Sequence, residues 1–435
     1  MIRGKKILTF LSPAMLACGL SVQAATFDSI DVHGSISATA SYSNKYGFMG
    51  DTADNLDLNL VDIILNSTHR FENGLRVGGQ IYAFKLGGYK DLTLDFASAD
   101  YSFNQHFGVR VGRNKLPHGL YNDSQDLDAI RTFASLPFSF YPRSLRAIDA
   151  SFDGLTIYGT FDIGRAGSLD YQVFAGAKEN IKGADTPLLR GVSYSLIKFN
   201  EWDLGHGING LSLFWNLPVE GLKLGYSLQQ VPKTRMRGVL GATDVLSGND
   251  LALAGLVDTM LGAGAWDYSG MFAGTTAGVS NVDVLFRTIS GEYTYGRWIF
   301  AGEYKLIDQL HGVASVPALA LLGQPPTSPY SNHLQYYYGS VSYEASDRIG
   351  LGYYYAYNCD SRQGTSAQKN LPENYSKDHC FAVSYKVTKW CVAKAEYHLM
   401  DGLTPLTISG DRGDVSSITS GSRWGYLVLK TTVSF

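Results

Sequence analysis

Tight connections and longer ones alternate strictly along these 435 residues, and that alternation constrains the fold more than any single motif. Seven tight connections stand at Glu72-Asn73-Gly74, Asn104 to Phe107, Gly164 to Ser168, Glu220-Gly221, Gly296-Arg297, Asp347-Arg348 and Thr388-Lys389, and each fits a hairpin turn. Eight others lie near 46–57, 87–91, 116–147, 179–208, 232–280, 309–332, 360–377 and 401–421, most of them long. Together they join sixteen strands of about ten residues, the length that crosses a bilayer when tilted. An even number of strands puts both termini on the short-turn side.

Between the turns runs a two-residue period. Leu427, Leu429, Thr431, Val433 and Phe435 alternate with Val428, Lys430, Thr432 and Ser434. Leu222, Leu224, Tyr226 and Leu228 alternate with Lys223, Gly225, Ser227 and Gln229, and Cys391, Ala393, Ala395, Tyr397 and Leu399 with Val392, Lys394, Glu396 and His398. One apolar and one polar face would suit a soluble sandwich as well as a membrane barrel. The connection lengths favour the barrel: short turns at one end, long loops at the other and an even strand count are the outer-membrane design. In hydrocarbon every backbone N–H and C=O must pair with a neighbouring strand, so such a sheet has to close. Sixteen strands are too many for side chains to fill the interior, which leaves an aqueous channel. The expected fold is therefore all-β, a sixteen-stranded antiparallel transmembrane β-barrel with short periplasmic turns and long extracellular loops.

Composition agrees. Only 17% of residues are charged, against roughly 25% in an ordinary soluble domain. The 28 Tyr, 21 Phe, 6 Trp and 48 Gly favour strands and turns and speak against a disordered chain or a coiled coil. A formal charge of −3 lacks the basic footprint of a nucleic-acid binder. No fixed-period repeat suggests a propeller or solenoid.

Arg3, Lys5 and Lys6 precede an apolar run from Ile7 to Leu20 that ends in Val22-Gln23-Ala24, the pattern of a secretory signal peptide over 1–24, with the barrel over 25–435. Cleavage after Ala24 would leave 411 residues and, with three basic residues removed, a net charge of −6. A lipoprotein site at Cys18 is the weaker alternative, because Met15-Leu16-Ala17 fits its pattern poorly. No other stretch approaches the ~20 consecutive apolar residues of a transmembrane helix.

The final Phe435, with Val433, Leu429 and Leu427 before it, resembles the C-terminal barrel-insertion signal of outer-membrane porins. The segment Val111-Gly112-Arg113-Asn114-Lys115-Leu116-Pro117-His118-Gly119-Leu120-Tyr121-Asn122-Asp123 resembles a pattern in a broad group of proteobacterial porins distantly similar to the phosphate-selective porins: a strand ending in Gly-Arg-x-Lys-x-Pro, then a loop through Gly-Leu-Tyr-Asn-acid. Leu136-Pro137, Tyr141, Arg146 and Asp153-Gly154 continue the similarity over about 45 residues. The resemblance implies a Gram-negative outer-membrane porin, exported through the periplasm and inserted by the barrel-assembly machinery. It also implies a homotrimer amid lipid and lipopolysaccharide, and a third outer loop that folds inward and narrows the channel. The third long connection here is 116–147, the one that carries the motif. The dense Arg and Lys arrays of phosphate-selective relatives have no residue-by-residue match.

Loop 116–147 and its flanks hold Arg113, Lys115, Arg131, Arg143 and Arg146, opposed by Asp123, Asp126, Asp128 and Asp149. Facing groups of both signs would create a transverse field in a narrow channel and set ion preference; the alternative is that they pair and pin the loop. Strand parity points Arg113 outward. The aromatics Phe133, Phe138, Phe140 and Tyr141 are expected to pack the loop in place.

The same parity directs Arg76, Arg110, Lys178, Lys223, Lys305, Lys386, Lys394 and Lys430 into the lumen, with Asp62, Asp162, Asp170, Glu303, Glu344 and Glu396 opposing them. Eight bases against six acids suggests a weak anion preference, although a one-residue slip would invert a strand's contribution. Trp298, Tyr336 to Tyr338, Tyr353 to Tyr355, Trp390 and Trp424 fit interfacial aromatic girdles.

Cys359 and Cys380 bracket one outer loop and are expected to form a disulfide, with Cys391 free and facing lipid. A metal site from His379, Cys359 and Cys380 lacks a fourth ligand at the usual spacing, so neither metal nor cofactor is expected. Loop 232–280 opens with Lys233, Arg235 and Arg237 and continues into Leu251, Ala254, Leu256, Val257 and Leu261, at the spacing of a short helix that would pack as a lid, plug the lumen or cover a subunit contact.

No Gly-x-Ser-x-Gly turn or His-Glu-x-x-His helix points to an enzyme, and a first strand near Ile30 leaves no room for a transporter plug. The reading is a non-enzymatic porin passing small hydrophilic solutes or ions by passive diffusion. Its alternatives are a specific channel for an anionic nutrient such as phosphate and, less favoured, a non-conducting barrel that is an adhesin or an enzyme.

Overall fold

The chain closes into an antiparallel barrel in which every strand pairs with its sequence neighbours and the last pairs with the first. This is a computed structural model that describes residues 30–435 apart from 49–55, 87–88, 143–145, 184–185, 187–188, 190–196, 206, 241–273, 324, 361 and 405–420. The leader expected over 1–24 thus lies outside the described residues. The ladder holds eighteen segments. Two of them, Ile181–Lys182 and Ile197–Asp203, prolong wall strands into the loop between them, which leaves sixteen crossings.

Those crossings are β1 (Ile30–Ser43), β2 (Leu56–Arg70), β3 (Leu75–Leu86), β4 (Tyr89–Asn104), β5 (Phe107–Lys115), β6 (Ser151–Asp162), β7 (Ser168–Ala177) and β8 (Ile208–Asn216). After them come β9 (Leu222–Leu240), β10 (Thr276–Tyr295), β11 (Trp298–Ser315), β12 (Thr327–Glu344), β13 (Ile349–Cys359), β14 (Tyr375–Thr388), β15 (Cys391–Gly402) and β16 (Arg423–Ser434). All seven tight turns fall where the sequence puts them. Among the described residues no helix is long and apolar enough to cross a membrane.

Closure depends on the C-terminus. Ile36 stands opposite Val433, and beyond the ladder Gly34 and Phe435 exchange backbone bonds of 3.0 and 2.9 Å. The Phe435 ring lies so close over Gly34 that a Cβ there would come within 2.4 Å of it.

The two faces separate by parity. Large apolar side chains remain exposed on the outside, among them Leu351, Phe381, Val383, Tyr397, Leu399, Leu429 and Val433. A face of this kind is stable against hydrocarbon and costly against water. Opposite them the polar set of β1, Ser37, Thr39, Ser41 and Ser43, is buried toward the interior.

Several strands outgrow the ten residues expected. β9, β10, β11 and β12 run 19, 20, 18 and 18 residues, so the expected loops 232–280 and 309–332 shrink to the spans after Leu240 and after Ser315. Lys233, Arg235 and Arg237 are consequently strand residues, with Lys233 at φ 52 where the β9–β10 register shifts. A bulge there lets the ladder resume through residues whose alternation is broken, which is why the sequence reads as loop. The stretch from Leu251 to Leu261 lies outside the described residues.

Trp424 also departs from expectation. It shares the inward face of Tyr426 and Val428, is buried, donates its Nε1–H to the Gly402 carbonyl at 3.0 Å, and packs on Phe48. Trp298 and Trp390 are exposed beside the short turns as a girdle requires, whereas Tyr336, Tyr338 and Tyr354 are buried inside.

The expected Cys359–Cys380 disulfide does not form; both thiols are free and buried, as Cys391 is free and half-buried. Cys359 stands opposite Tyr375 and Cys380 opposite Tyr354, so the two lie five register positions apart on adjacent strands. At ~3.3 Å per residue that is far beyond the roughly 7 Å Cα separation a disulfide tolerates. The ladder reaches up to the loop and separates residues that sequence spacing seemed to bracket. Maleimide labelling of the unfolded, unreduced, leader-free chain is expected to modify three thiols; one would mean that the bridge exists.

Candidate functional site

The motif-bearing connection, residues 116–150, folds into the barrel and is fastened to the wall on three sides. Its neck is closed by the Leu116 N–H to the Ala150 carbonyl at 2.9 Å and by the Asn122 amide, which donates to the carbonyls of Leu116 at 2.6 Å and Asp149 at 2.9 Å. Gly119 turns the chain at φ +60, where a Cβ would lie 2.5 Å from the Tyr141 hydroxyl and 2.6 Å from Glu303. That crowding is the physical reason for a glycine in the Gly-Leu-Tyr-Asn stretch.

The first anchor is a buried four-charge cluster. Lys115 pairs with Asp95 of β4 and, at 2.6 Å, with Asp126; Arg146 pairs with Asp95 at 2.6 Å and with Asp126 at 2.7 Å. The Gln80 amide donates to both carboxylates at 2.8 and 2.9 Å, and the Arg146 guanidinium stacks 4.1 Å above the Tyr82 ring. Two acids and two bases cancel.

The second anchor is Glu303 of β11, which accepts hydrogen bonds from the Leu120 N–H at 2.7 Å and from the hydroxyls of Tyr141, Tyr338 and Ser290. Beside it Lys305 donates to the Phe140 carbonyl at 2.6 Å with its ammonium 4.3 Å from the Phe140 ring. The Tyr121 hydroxyl reaches Glu292 of β10 at 2.8 Å.

The third anchor spans β15 and β16. Lys394 donates to the carbonyls of Asp128 at 2.6 Å and Phe133 at 2.8 Å, Lys430 pairs with the Asp128 carboxylate, and Glu396 accepts from the Ala134 N–H at 2.7 Å and the Ser135 hydroxyl at 2.9 Å. Phe133 meets Tyr354, and Phe138 meets Phe48, so the loop aromatics pack as expected.

Of the constriction residues named from sequence, Lys115, Asp126, Asp128 and Arg146 are thus brought together as fasteners. Arg131 donates to the carbonyls of Ser124 and Gln125 at 2.6 Å each and bridges Asp128 at 3.8 Å. Arg113 stays outside the cluster: on the face of Val111 it pairs with Asp153 and Glu179. Its place in the constriction is a correction, made by the parity already visible in β5. Arg143 lies outside the described residues. Among the described residues of the loop only Asp123, Leu127, Ala129 and Ile130 are exposed, so the free tip is largely apolar.

Of the named wall residues, Lys305, Lys394, Lys430, Glu303 and Glu396 hold the loop. Lys178 is bound to the Ser151 carbonyl, and Asp162 caps the Gly164 turn. Asp170 binds Thr160 and Asn216. A cavity of about 540 Å³ opens between the loop and the far wall, where Lys223 pairs with Glu292 at 3.2 Å and Lys386 with Glu344 at 3.6 Å.

Two nodes carry excess positive charge. Toward the short-turn end Asp100 accepts from Arg76 and Arg110, each at 3.0 Å, and from Tyr158. Toward the long-loop end Asp308 is ringed by Arg287, by His333 Nδ1 at 2.6 Å and by Arg362 at 2.6 Å. Asp95, Asp100 and Asp308 escaped the sequence reading. Asp95 could have been found from Leu92 and Leu94 alternating with Thr93, but the β3–β4 register shifts beside it.

Comparison with known proteins gives a likeness of fold. No family model matches the chain. An uncharacterised protein of Aquifex aeolicus is 30% identical over 111 residues, 24% of this chain and 25% of that protein, so the match spans about a quarter of that relative. The anion-selective porin from Comamonas acidovorans superposes with a TM-score of 0.53 at 11% identity, covering 94% of this chain and 99% of that one. OmpT of Vibrio cholerae, an outer membrane protein solved in a trimer form, gives 0.52 at 13% identity over 93% and 99%; Salmonella typhi OmpF in complex with daunomycin gives 0.51 at 10% over 95% and 100%.

Burial raises the pKa of the Asp126 carboxyl, but Arg146 and Lys115 outweigh it and hold the group well below the carboxylate range. Burial likewise opposes ionisation of Asp128, and Lys430, Lys394 and Arg131 lower it. Depressed folded-state values mean that this stabilisation is complete above the ordinary Asp pKa of ~3.9 and is lost only as pH falls through the depressed values. The Asp126 and Asp128 pairings, read by a fluorophore on an Asp123→Cys variant, are expected to hold from neutral pH to ~4 and to open only below it. Replacing Arg146 by Gln leaves two buried carboxylates facing one base. This should weaken the anchoring by about 3–5 kcal/mol, seen as protease cleavage within the loop that the parent chain resists.

Proposed function

We propose that this chain is an outer-membrane porin, exported to the periplasm and inserted as a barrel, that conducts small hydrophilic solutes or ions passively and carries its constriction in residues 116–150. The observation that carries the reading is the inward loop, fastened at Glu303, at the Asp95–Asp126 cluster and across β15–β16, within a barrel whose outer face is apolar. Sixteen strands leave a lumen, and a loop held this firmly narrows it without moving. Fold likeness alone would not assign a function; the pinned loop and lumen charges are what support it.

The solute class follows from charge. The loop cluster is neutral, its exposed tip is largely apolar, and the surplus bases lie at the Asp100 and Asp308 nodes. A non-specific channel with mild anion preference fits that distribution, because like charge near the mouths of a pore raises the local concentration of counter-ions. A homotrimer set in lipid and lipopolysaccharide is the assembly the motif resemblance implies, and the neighbour solved as a trimer supports it.

The test is planar-bilayer recording of the refolded protein. Stepwise conductance is expected, in triplets for a trimer, with a reversal potential in a salt gradient displaced modestly toward the anion. Replacing Arg287 and Arg362 by Gln should move that potential toward the cation side. Firm cation selectivity would overturn the anion assignment, and concentration-dependent block by phosphate would make the channel solute-specific. A barrel with no conductance would remove the porin reading altogether.

A further inference from the structure

We infer that Cys380, Glu396 and His398 form a divalent-metal site in the lumen wall, suited to Zn²⁺. One ligand atom from each, the Cys380 sulfur, a Glu396 carboxylate oxygen and a His398 ring nitrogen, lies within 4.8 Å of the others, and all three residues are buried. The sheet makes this set directly: Cys380 and His398 are cross-strand partners on β14 and β15, and Glu396 is two residues from His398 on the same face. A thiolate, an imidazole and a carboxylate are the donor types zinc takes.

The spacing suits a bound ion. His398 Nε2 and Glu396 Oε2 stand 3.5 Å apart, long for a charge-assisted hydrogen bond. It matches the roughly 3.3–3.7 Å edge of a tetrahedron with zinc–ligand bonds near 2.0–2.3 Å. The imidazole is also oriented from behind. Its Nδ1 lies 3.0 and 3.1 Å from the two oxygens of Asp378, its ring stacks on Tyr426 at 3.9 Å, and Tyr354 donates to the same aspartate at 3.1 Å. A carboxylate behind Nδ1 holds the tautomer that leaves Nε2 free to ligate, the usual outer-shell partner of a metal-bound histidine. The Ser135 hydroxyl donates to Glu396 Oε2 at 2.9 Å and brings the loop against the same carboxylate, and a water would supply the fourth ligand.

The other oxygen of Glu396 takes the Ala134 N–H. An ion at this place therefore fixes the same carboxylate that fastens the third side of the loop. Binding requires the deprotonated thiolate of Cys380 and releases its proton to solvent, so affinity falls with acidity.

The test uses the full refolded barrel in detergent, titrated with Zn²⁺ and separately with Co²⁺. The expected result is one equivalent per chain, with a thiolate-to-cobalt charge-transfer band and intense tetrahedral visible bands. Cys380→Ser should abolish the charge-transfer band, and Asp378→Asn should weaken binding about 10–100-fold. Each variant is checked for the heat-dependent gel mobility of an intact barrel. If Cys380→Ser does not fold, a folded His398→Gln variant decides: it is expected to lose stoichiometric Co²⁺ binding. No stoichiometric binding to a folded parent barrel, or an unaltered cobalt spectrum in folded Cys380→Ser, would overturn the site. The porin reading is judged separately by conductance and survives either outcome.

Discussion

Everything in this structure follows from the need to leave no backbone edge unpaired. A sheet whose outer side chains are Leu351, Phe381, Leu399 and Val433 has no solvent on that face to satisfy a free N–H or C=O. The last strand must therefore find the first. The Gly34–Phe435 exchange completes that ring, and the aromatic ring over a residue without a Cβ shields the final pair of bonds. Once the ring is closed its circumference is set by strand number, and with sixteen strands the interior is too wide for wall side chains alone to fill.

Part of that interior is occupied by the connection between β5 and β6, residues 116–150. A loop inside a barrel meets the ordinary difficulty of buried backbone: its N–H and C=O groups have lost water and lack a ladder. Here the wall's charged side chains supply the partners. Lys305 takes the Phe140 carbonyl, Lys394 those of Asp128 and Phe133, Glu303 the Leu120 N–H, and Glu396 the Ala134 N–H. Charges on a lumen wall suggest ion selection, but these five contacts show them holding a backbone. Their partners are fixed dipoles, so they are satisfied without presenting free charge to the channel.

The parts of the fold written as alternation were legible in the sequence. Seven turns, sixteen crossings and the inward face of Lys305, Lys394, Lys430, Glu303 and Glu396 all depend on a period of two, which a single chain displays. What was not legible arises where that period breaks or where distant strands meet. Lys233 sits at a register shift and reads as loop; Asp95 sits beside another and was passed over. The Cys359–Cys380 pairing failed because loop spacing says nothing about register, and five ladder positions separate them. The partnership of Arg146 with Asp95 joins residues 51 apart through a fold that no local pattern encodes.

Separating fastening from selection has a physical consequence for any solute. Apart from Asp123 at the exposed tip, the charges nearest the loop are paired or bound to backbone dipoles, so at that level size and wettability matter more than sign. The residual field arises elsewhere, from two arginines on one aspartate at Asp100 and again at Asp308, one node toward each end of the barrel. Such a field acts on concentration and salt screens it, because those groups are partly open to water within a Debye length of ~8–10 Å. The loop cluster is buried and screened far less. Salt therefore tunes any charge preference of this barrel while leaving the inward loop in place, because the two depend on different residues on different strands.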